Sequence, residues 1–303
     1  MNKSVSIWLE AFRPKTLPLA LVSIITGSTL AHANGHFSWV IMLLSLITAT
    51  LLQILSNLAN DYGDAQKGTD NEHRLGPIRA MQQGVSSLDM KRAITINVVL
   101  TLLSGLALVL YSLDSLANIL AFLGLGALAV LAAIAYTVGQ KPYGYIGLGD
   151  LSVFIFFGLL GVAGTFFLHT GFLDIGIFIP ATASGLLAAG VLNINNMRDI
   201  ENDRACGKHT FAVRLGEIKA KRYHLFLIWA AFIIFAAYLL HTSSIWLVLP
   251  FFLSATVIGK HGKAVLHTTA PVQIAPMLPV IVKCAVITNI LFSLLVIAQT
   301  LTR

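Results

Sequence analysis

The chain of 303 residues is 56% hydrophobic and only 11% charged, with a mean hydropathy of +0.81. Soluble domains carry roughly a quarter charged residues, so this composition excludes one and predicts an integral membrane protein. A formal charge of +7 would suggest nucleic acid as the partner of a soluble chain, but here the basic residues fall between apolar runs, where they encode topology; no nucleic-acid partner is expected.

The runs reach the ~20 residues that span a bilayer as a helix and lack the ten-residue alternation of outer-membrane strands. The predicted fold class is an all-α polytopic membrane protein, with one transmembrane domain over residues 1–303. Ile7, Trp8, Leu9 and Phe12, at helical spacing with Lys3 and Glu10 between them, predict a short interfacial helix, and Arg13 to Pro18 turn the chain into the bilayer. Nine spans follow, near 16–33, 39–60, 92–112, 116–138, 147–169, 175–197, 223–241, 244–259 and 280–300. Leu17 to Ala31, followed by Ala31-His32-Ala33, also has the form of a signal peptide and its cleavage site. It is read as a retained span, because only then does the charge pattern keep its phase.

The connections separate by charge. Counting Lys and Arg, the N-terminus and the segments 61–92, 139–146, 198–222 and 260–275 hold eighteen, and the opposite connections hold none; Lys283 falls near the start of the last span and Arg303 at the far end. The positive-inside rule therefore predicts a cytoplasmic N-terminus and an outside C-terminus in the inner membrane. Gly158, Gly161 and Gly164, and likewise Gly124 and Gly126, are expected to let helices pack closely. His32, His36, His169, His241, His261 and His267 are expected at membrane interfaces, and Cys206 and Cys284 as free thiols.

Two acidic clusters interrupt this pattern where spans end. The first, Asn57 to Asp70, holds Asp61, Asp64 and Asp70; the second, Asn195 to Arg204, holds Asp199, Glu201 and Asp203. Each is followed by basic residues and a Leu-Gly pair, Leu75-Gly76 and Leu215-Gly216, in the manner of an internal repeat. Carboxylates at membrane depth are expensive and contribute little to topology, so a function is expected. Residues four apart share a helix face, which puts Asn195, Asp199 and Asp203 on one stripe and Asn60 with Asp64 on another. Two facing carboxylate stripes need cations, and oxygen ligands without Cys or His favour Mg²⁺, which is usually held through a few carboxylates plus substrate phosphates. Lys67, Arg74 and Arg79 after the first cluster, and Arg204, Lys208 and Arg214 after the second, suit a diphosphate. Such a site at the ends of apolar helices predicts a substrate with a charged head and a long apolar tail, as a polyprenyl diphosphate has.

These residues resemble the paired aspartate motifs of the UbiA superfamily of intramembrane prenyltransferases. The likeness runs through Arg13-Pro14-Lys15-Thr16-Leu17-Pro18, Asn60-Asp61-Tyr62-Gly63-Asp64 to Asp70, Tyr136-Thr137, Lys141-Pro142, Gly144 to Asp150 and Asn195 to Asp203. The six-residue step from Asp64 to Asp70 is similar to the branch that prenylates 1,4-dihydroxy-2-naphthoate; the 4-hydroxybenzoate branch usually steps by four. The resemblance implies nine helices around a central cavity capped by cytoplasmic loops, with Asn60, Asp64, Asp70, Asp199 and Asp203 holding Mg²⁺. Asp64, Asp199, Asp203 and Tyr136 would be catalytic, and Asn57, Asp61 and Asn195 would support them. Arg13, Lys67, Arg74, Lys141, Lys208 and Arg214 would contact the polyprenyl diphosphate or an aromatic acceptor. Tyr136 and Asp150, which flank a short loop, would shield the allylic cation or orient that acceptor. The product would be demethylmenaquinone, formed with loss of CO₂ and diphosphate. Two other readings stand beside this one: a cation-coupled transporter, whose site would lie nearer the bilayer midplane, and a phosphatidyl-alcohol transferase, whose Asp-Gly-x-x-Ala-Arg motif is absent.

Overall fold

The computed structural model describes residues 3–302. Proline, glycine and capping side chains set the ends of its helices. Pro18 opens α2 (Leu17–Ala33), and Ser38 caps α3 (Trp39–Gln66) by accepting from the Ile41 amide. Ser86 caps α4 (Ser87–Ser112) in the same way through the Asp89 amide. α5 (Leu116–Ala135) leads into a loop with a 3₁₀ turn at Tyr143–Ile146, and α6 (Gly149–Thr170) ends at Gly171, whose φ of 76° suits a residue without a Cβ. α7 (Ile175–Arg198) is followed by the short α8 (Ile200–Ala205) and α9 (Phe211–Leu215), then by α10 (Glu217–Thr242), α11 (Ile245–Leu266) and α12 (Met277–Leu301). Eight of these helices, α3 to α7 and α10 to α12, are long and apolar enough to cross a bilayer alone. The N-terminal helix α1 (Lys3–Phe12) and α2, bent by 47° from one another, meet the same test only as a pair, which makes them the ninth candidate crossing. At that bend Arg13 has φ 53°, the left-handed region, and is alone in this among the described non-glycine residues.

Most helices run beyond their apolar windows at the end that carries the acidic clusters. The chain continues helical through Asp61 and Asp64 on α3, and α11 continues to Leu266. Lys260, expected in a connection, therefore lies inside a helix.

α7 is the central helix: 61% of its apolar window is buried, against 6% for α5. Packing around it is close where glycine allows. A Cβ on Gly158 of α6 would sit 2.6 Å from the Ala181 carbonyl of α7, so the two backbones touch. A buried polar node adds direction. Asn289 of α12 accepts hydrogen bonds from Thr26 of α2 and from Ser184 of α7, joining three helices by one amide. Gly124 and Gly126 depart from their expected role, since nothing lies within 4 Å of a Cβ built at either. The helix they sit on, α5, packs against α3 and α4 and meets α6 through Phe122, stacked on Phe167 at 5.2 Å. His261 departs too: it is buried, with Nε2 2.9 Å from Nε2 of His224 on α10, and not at an interface.

Candidate active site

A cavity of about 410 Å³ fills the space between α2 to α7. Its inner part is lined by apolar side chains such as Leu108, Val109, Phe122 and Phe156, and it passes Gly126 and Ala133 of α5 and Leu160 and Gly164 of α6. α5 and α6 flank the cavity and meet through the stacked rings of Phe122 and Phe167, 5.2 Å apart. α6 itself is π-helical over Phe154–Gly164, a widened coil of the kind found mostly near functional sites.

At the other end the two acidic clusters meet. Asn60 and Asp64 from α3 and Asn195, Asp199 and Asp203 from the end of α7 and from α8 all line the cavity. The second stripe survives a break in the helix: α7 stops at Arg198, yet the Asp203 amide still donates to the Asp199 carbonyl at 2.8 Å. Lys208 joins the clusters, its Nζ lying 3.3 Å from both oxygens of Asp64 and 4.0 Å from Asp203. Burial disfavours the Lys208 ammonium, but Asp64 and Asp203 outweigh this and raise its pKa. Asp203 is less compensated, and burial pushes it up to about 7 against the pull of Lys208. Asp199 goes the other way. Burial would raise it, but the Arg198 guanidinium, with Arg74 and Lys208 beyond, holds it below the usual carboxylate range.

Arginines furnish the opposite wall. Arg13, Arg74 and Arg79 all line the cavity. Arg13 pairs with Asp61, which also meets Arg79 at 3.5 Å, while Arg74 bridges Asp70 at 3.2 Å and Asp199 at 3.5 Å. Burial first, and then its cationic neighbours Arg13 and Arg74, pull Arg79 down to about 9. Arg13 Nε is buried with no partner. Crowded, under-satisfied guanidiniums of this kind make an anion-binding wall.

Of the residues expected at the site, Arg13, Asn57, Asn60, Asp64, Arg74, Tyr136, Asn195, Asp199, Asp203 and Lys208 line the cavity. The others are placed differently. Asp61 is buried behind the wall on Arg13 and Arg79, and Asp70 behind it on Arg74, where its two oxygens lack a hydrogen bond. Lys67 and Lys141 are exposed. Arg214 braces the loops by donating to the Ile146 and His209 carbonyls. Asp150 is buried beside Tyr136 but does not line the cavity.

The residue that sequence reasoning missed is Tyr145. Its hydroxyl donates to Asp64 at 2.7 Å and lies 2.6 Å from the Thr69 hydroxyl, while its ring sits under the ammonium groups of Lys208 at 5.1 Å and Lys67 at 5.7 Å. Asn202 adds a second tie by donating to the Thr69 carbonyl at 2.8 Å. Nothing marks Tyr145 in isolation, although it lies in the Gly144 to Asp150 stretch. Asn196, Arg198 and Tyr143 were also missed; Arg198 adjoins Asp199 and could have been found by that adjacency. The loop before Tyr145 is held down by Thr137, which donates to the Ala59 carbonyl or to Asn60. Gly63 makes the approach feasible, since a Cβ there would lie 2.6 Å from the Thr137 hydroxyl.

The donor set fits Mg²⁺. It offers carboxylate and amide oxygens without thiol or imidazole, and Asp203 is buried with an incompletely balanced charge. Among the described residues no three His, Cys, Asp or Glu side chains converge on one point.

Residues 20–295 match the UbiA prenyltransferase family. The chain is 53% identical to the 1,4-dihydroxy-2-naphthoate octaprenyltransferase of Escherichia coli (strain K12), over 95% of this chain and 94% of that protein. It is 48% identical to the protein of the same name in Haemophilus influenzae, over 97% and 96%. Its fold is similar to that of a UbiA homologue from Archaeoglobus fulgidus solved with DMAPP and Mg²⁺, with a TM-score of 0.61 and 16% identity over 98% of this chain and 100% of that one.

Proposed function

We propose that this chain, which belongs to the UbiA prenyltransferase family, transfers a polyprenyl group from its diphosphate to 1,4-dihydroxy-2-naphthoate, releasing diphosphate and CO₂ and giving demethylmenaquinone in its reduced, quinol form. One observation carries the reading. Carboxylates from two clusters far apart in sequence share Lys208 at one end of a largely apolar cavity set among helices apolar enough to cross a membrane. A prenyl tail lies along the apolar part, and its diphosphate meets the charged end.

Asp64, Asp199 and Asp203, with Asn60, are the residues that would hold Mg²⁺, and Asp70 contributes through Arg74. The ion supplies charge neutralisation on the departing diphosphate. Lys208 and Arg74 place further positive charge at the same end, where bridging-oxygen charge develops as the C–O bond breaks. Arg13 and Arg79 extend the cationic wall to the anionic acceptor, while Lys67, Lys141 and Arg214 act from the loops. Burial, and then the charge of Asp150, raise Tyr136 well above its usual pKa, so its phenol stays neutral. Its electron-rich ring at the cavity wall stabilises the allylic cation, and the largely apolar lining keeps out water that would capture it. Attack by the electron-rich naphthol carbon then completes the transfer.

The protein is an inner-membrane protein with the acidic clusters facing the cytoplasm, a reading supported by the one-sided basic residues. The test is direct: purified protein in liposomes receives Mg²⁺, a polyprenyl diphosphate and dihydroxynaphthoate, with 4-hydroxybenzoate in a parallel reaction. Prenylated naphthoquinone from the first acceptor and none from the second is the expected result. Absence of diphosphate release from both would overturn the reading.

A further inference from the structure

Two exposed lysines stand at the edges of the apolar runs of adjacent helices. Lys260 lies six residues before the end of α11 and Lys283 six residues after the start of α12, which puts each about 9 Å inside its helix at 1.5 Å per residue. The helices are antiparallel neighbours, and the Cys284 thiol lies 3.9 Å from the Val257 carbonyl. That contact fixes the register and brings Lys260 and Lys283 to nearly one depth, at the end of the bundle that carries the acidic clusters. Both are exposed on the outer surface, amid the exposed apolar side chains of Leu253, Leu266, Val280 and Ile287. Lys263, one turn nearer the helix end, is exposed as well. Among the described residues no carboxylate pairs with Lys260 or Lys283, and the active-site cavity does not reach them.

Lys260 stands one residue past the apolar run of α11 and Lys283 just inside that of α12, so both ammonium groups lie near the edge of the hydrocarbon, where an unpaired charge is costly. The lysine stem lets the charge rise toward the interface, where phosphates of the lipid headgroups lie. From the matched depth of two lipid-facing cations on adjacent helices, we propose that α11 and α12 form a binding site for one anionic phospholipid. Lys260 and Lys283 hold its phosphate, Lys263 adds charge at the rim, and the acyl chains lie against Leu253, Val280 and Ile287. The site is separate from the active-site cavity, and it does not depend on which acceptor the enzyme prenylates.

The test uses full-length protein equilibrated in detergent with equimolar phosphatidylglycerol and phosphatidylcholine, with retained lipid counted by native mass spectrometry. Wild type is expected to keep phosphatidylglycerol preferentially, K260Q/K283Q to retain about one fewer per chain, and K260R/K283R and the distant K219Q to behave as wild type. Prenyl transfer in phosphatidylcholine liposomes reports whether each variant is folded, independently of the lipid count. Equal retention by wild type and K260Q/K283Q would overturn the proposal. So would equal retention of the two lipids, or displacement of phosphatidylglycerol by inorganic phosphate.

Discussion

Tyr145 shows how much of the site depends on a side chain that carries no charge. Its hydroxyl is shared between Asp64 and Thr69, and its ring carries the ammonium of Lys208. Y145F keeps the ring and removes one hydrogen bond to a carboxylate, a loss of about 1.5 kcal/mol. Steady-state kinetics should therefore show kcat/KM lower by roughly tenfold, and an unchanged kcat/KM would mean that Asp64 is oriented without it. Lys208 yields a complementary prediction. Removing one member of a buried ion pair costs about 3–5 kcal/mol, so K208M should melt well below wild type in EDTA. Added Mg²⁺ should recover much of the difference by supplying another cation to Asp64 and Asp203; identical melting of the two proteins in EDTA would refute the pairing. The aspartates were legible in the sequence because a carboxylate at membrane depth has no inexpensive explanation. Tyr145 was not, because tyrosine near a membrane interface is ordinary and its partners lie 76 and 81 positions away.

At the level of elements, apolar periodicity located every span but placed many ends too early. Apolarity marks where lipid is, whereas helices continue as long as backbone and caps allow. α3 therefore carries Asp64 on rigid helix, fixed relative to the loop that holds Tyr136. Gly63 sets that distance. G63A would press a methyl group to within 2.7 Å of several Thr137 atoms, and such overpacking costs about 1–3 kcal/mol. A thermal melt should register it together with reduced turnover. α5 offers the opposite test, because a Cβ at Gly126 meets nothing within 4 Å while the position lines the cavity. G126L should leave the melt unchanged or raise it, since leucine is the better helix former by roughly 0.8 kcal/mol. If the prenyl tail runs past α5, the kcat/KM ratio of long to short prenyl diphosphates falls in this variant; a constant ratio would place the tail elsewhere. Sequence alone could not distinguish these glycines, since the same residue opens space at Gly126 and closes it at Gly158.

Across the whole molecule the charge distribution makes a strong claim about orientation. Eighteen Lys and Arg residues fall on the side of the acidic clusters and none in the opposite connections. If α1 and α2 form one crossing, nine crossings put the two chain ends on opposite sides of the membrane. The biological reason is also chemical: a diphosphate head and its cations need an aqueous face that supplies them, and the arginine wall proposed to receive the head coincides with the side that the positive-inside rule assigns to the cytoplasm. Reporter cysteines test this. Cys206 is partly exposed and would be replaced by serine first, while Cys284 is buried. In that background D114C, on the exposed connection between α4 and α5, should react with a membrane-impermeant maleimide in intact cells. K219C, exposed near the start of α10, should react only after the membrane is opened. The reverse pattern would turn the active site outward and leave the fold intact, separating the topology encoded by charge from the cavity built by packing.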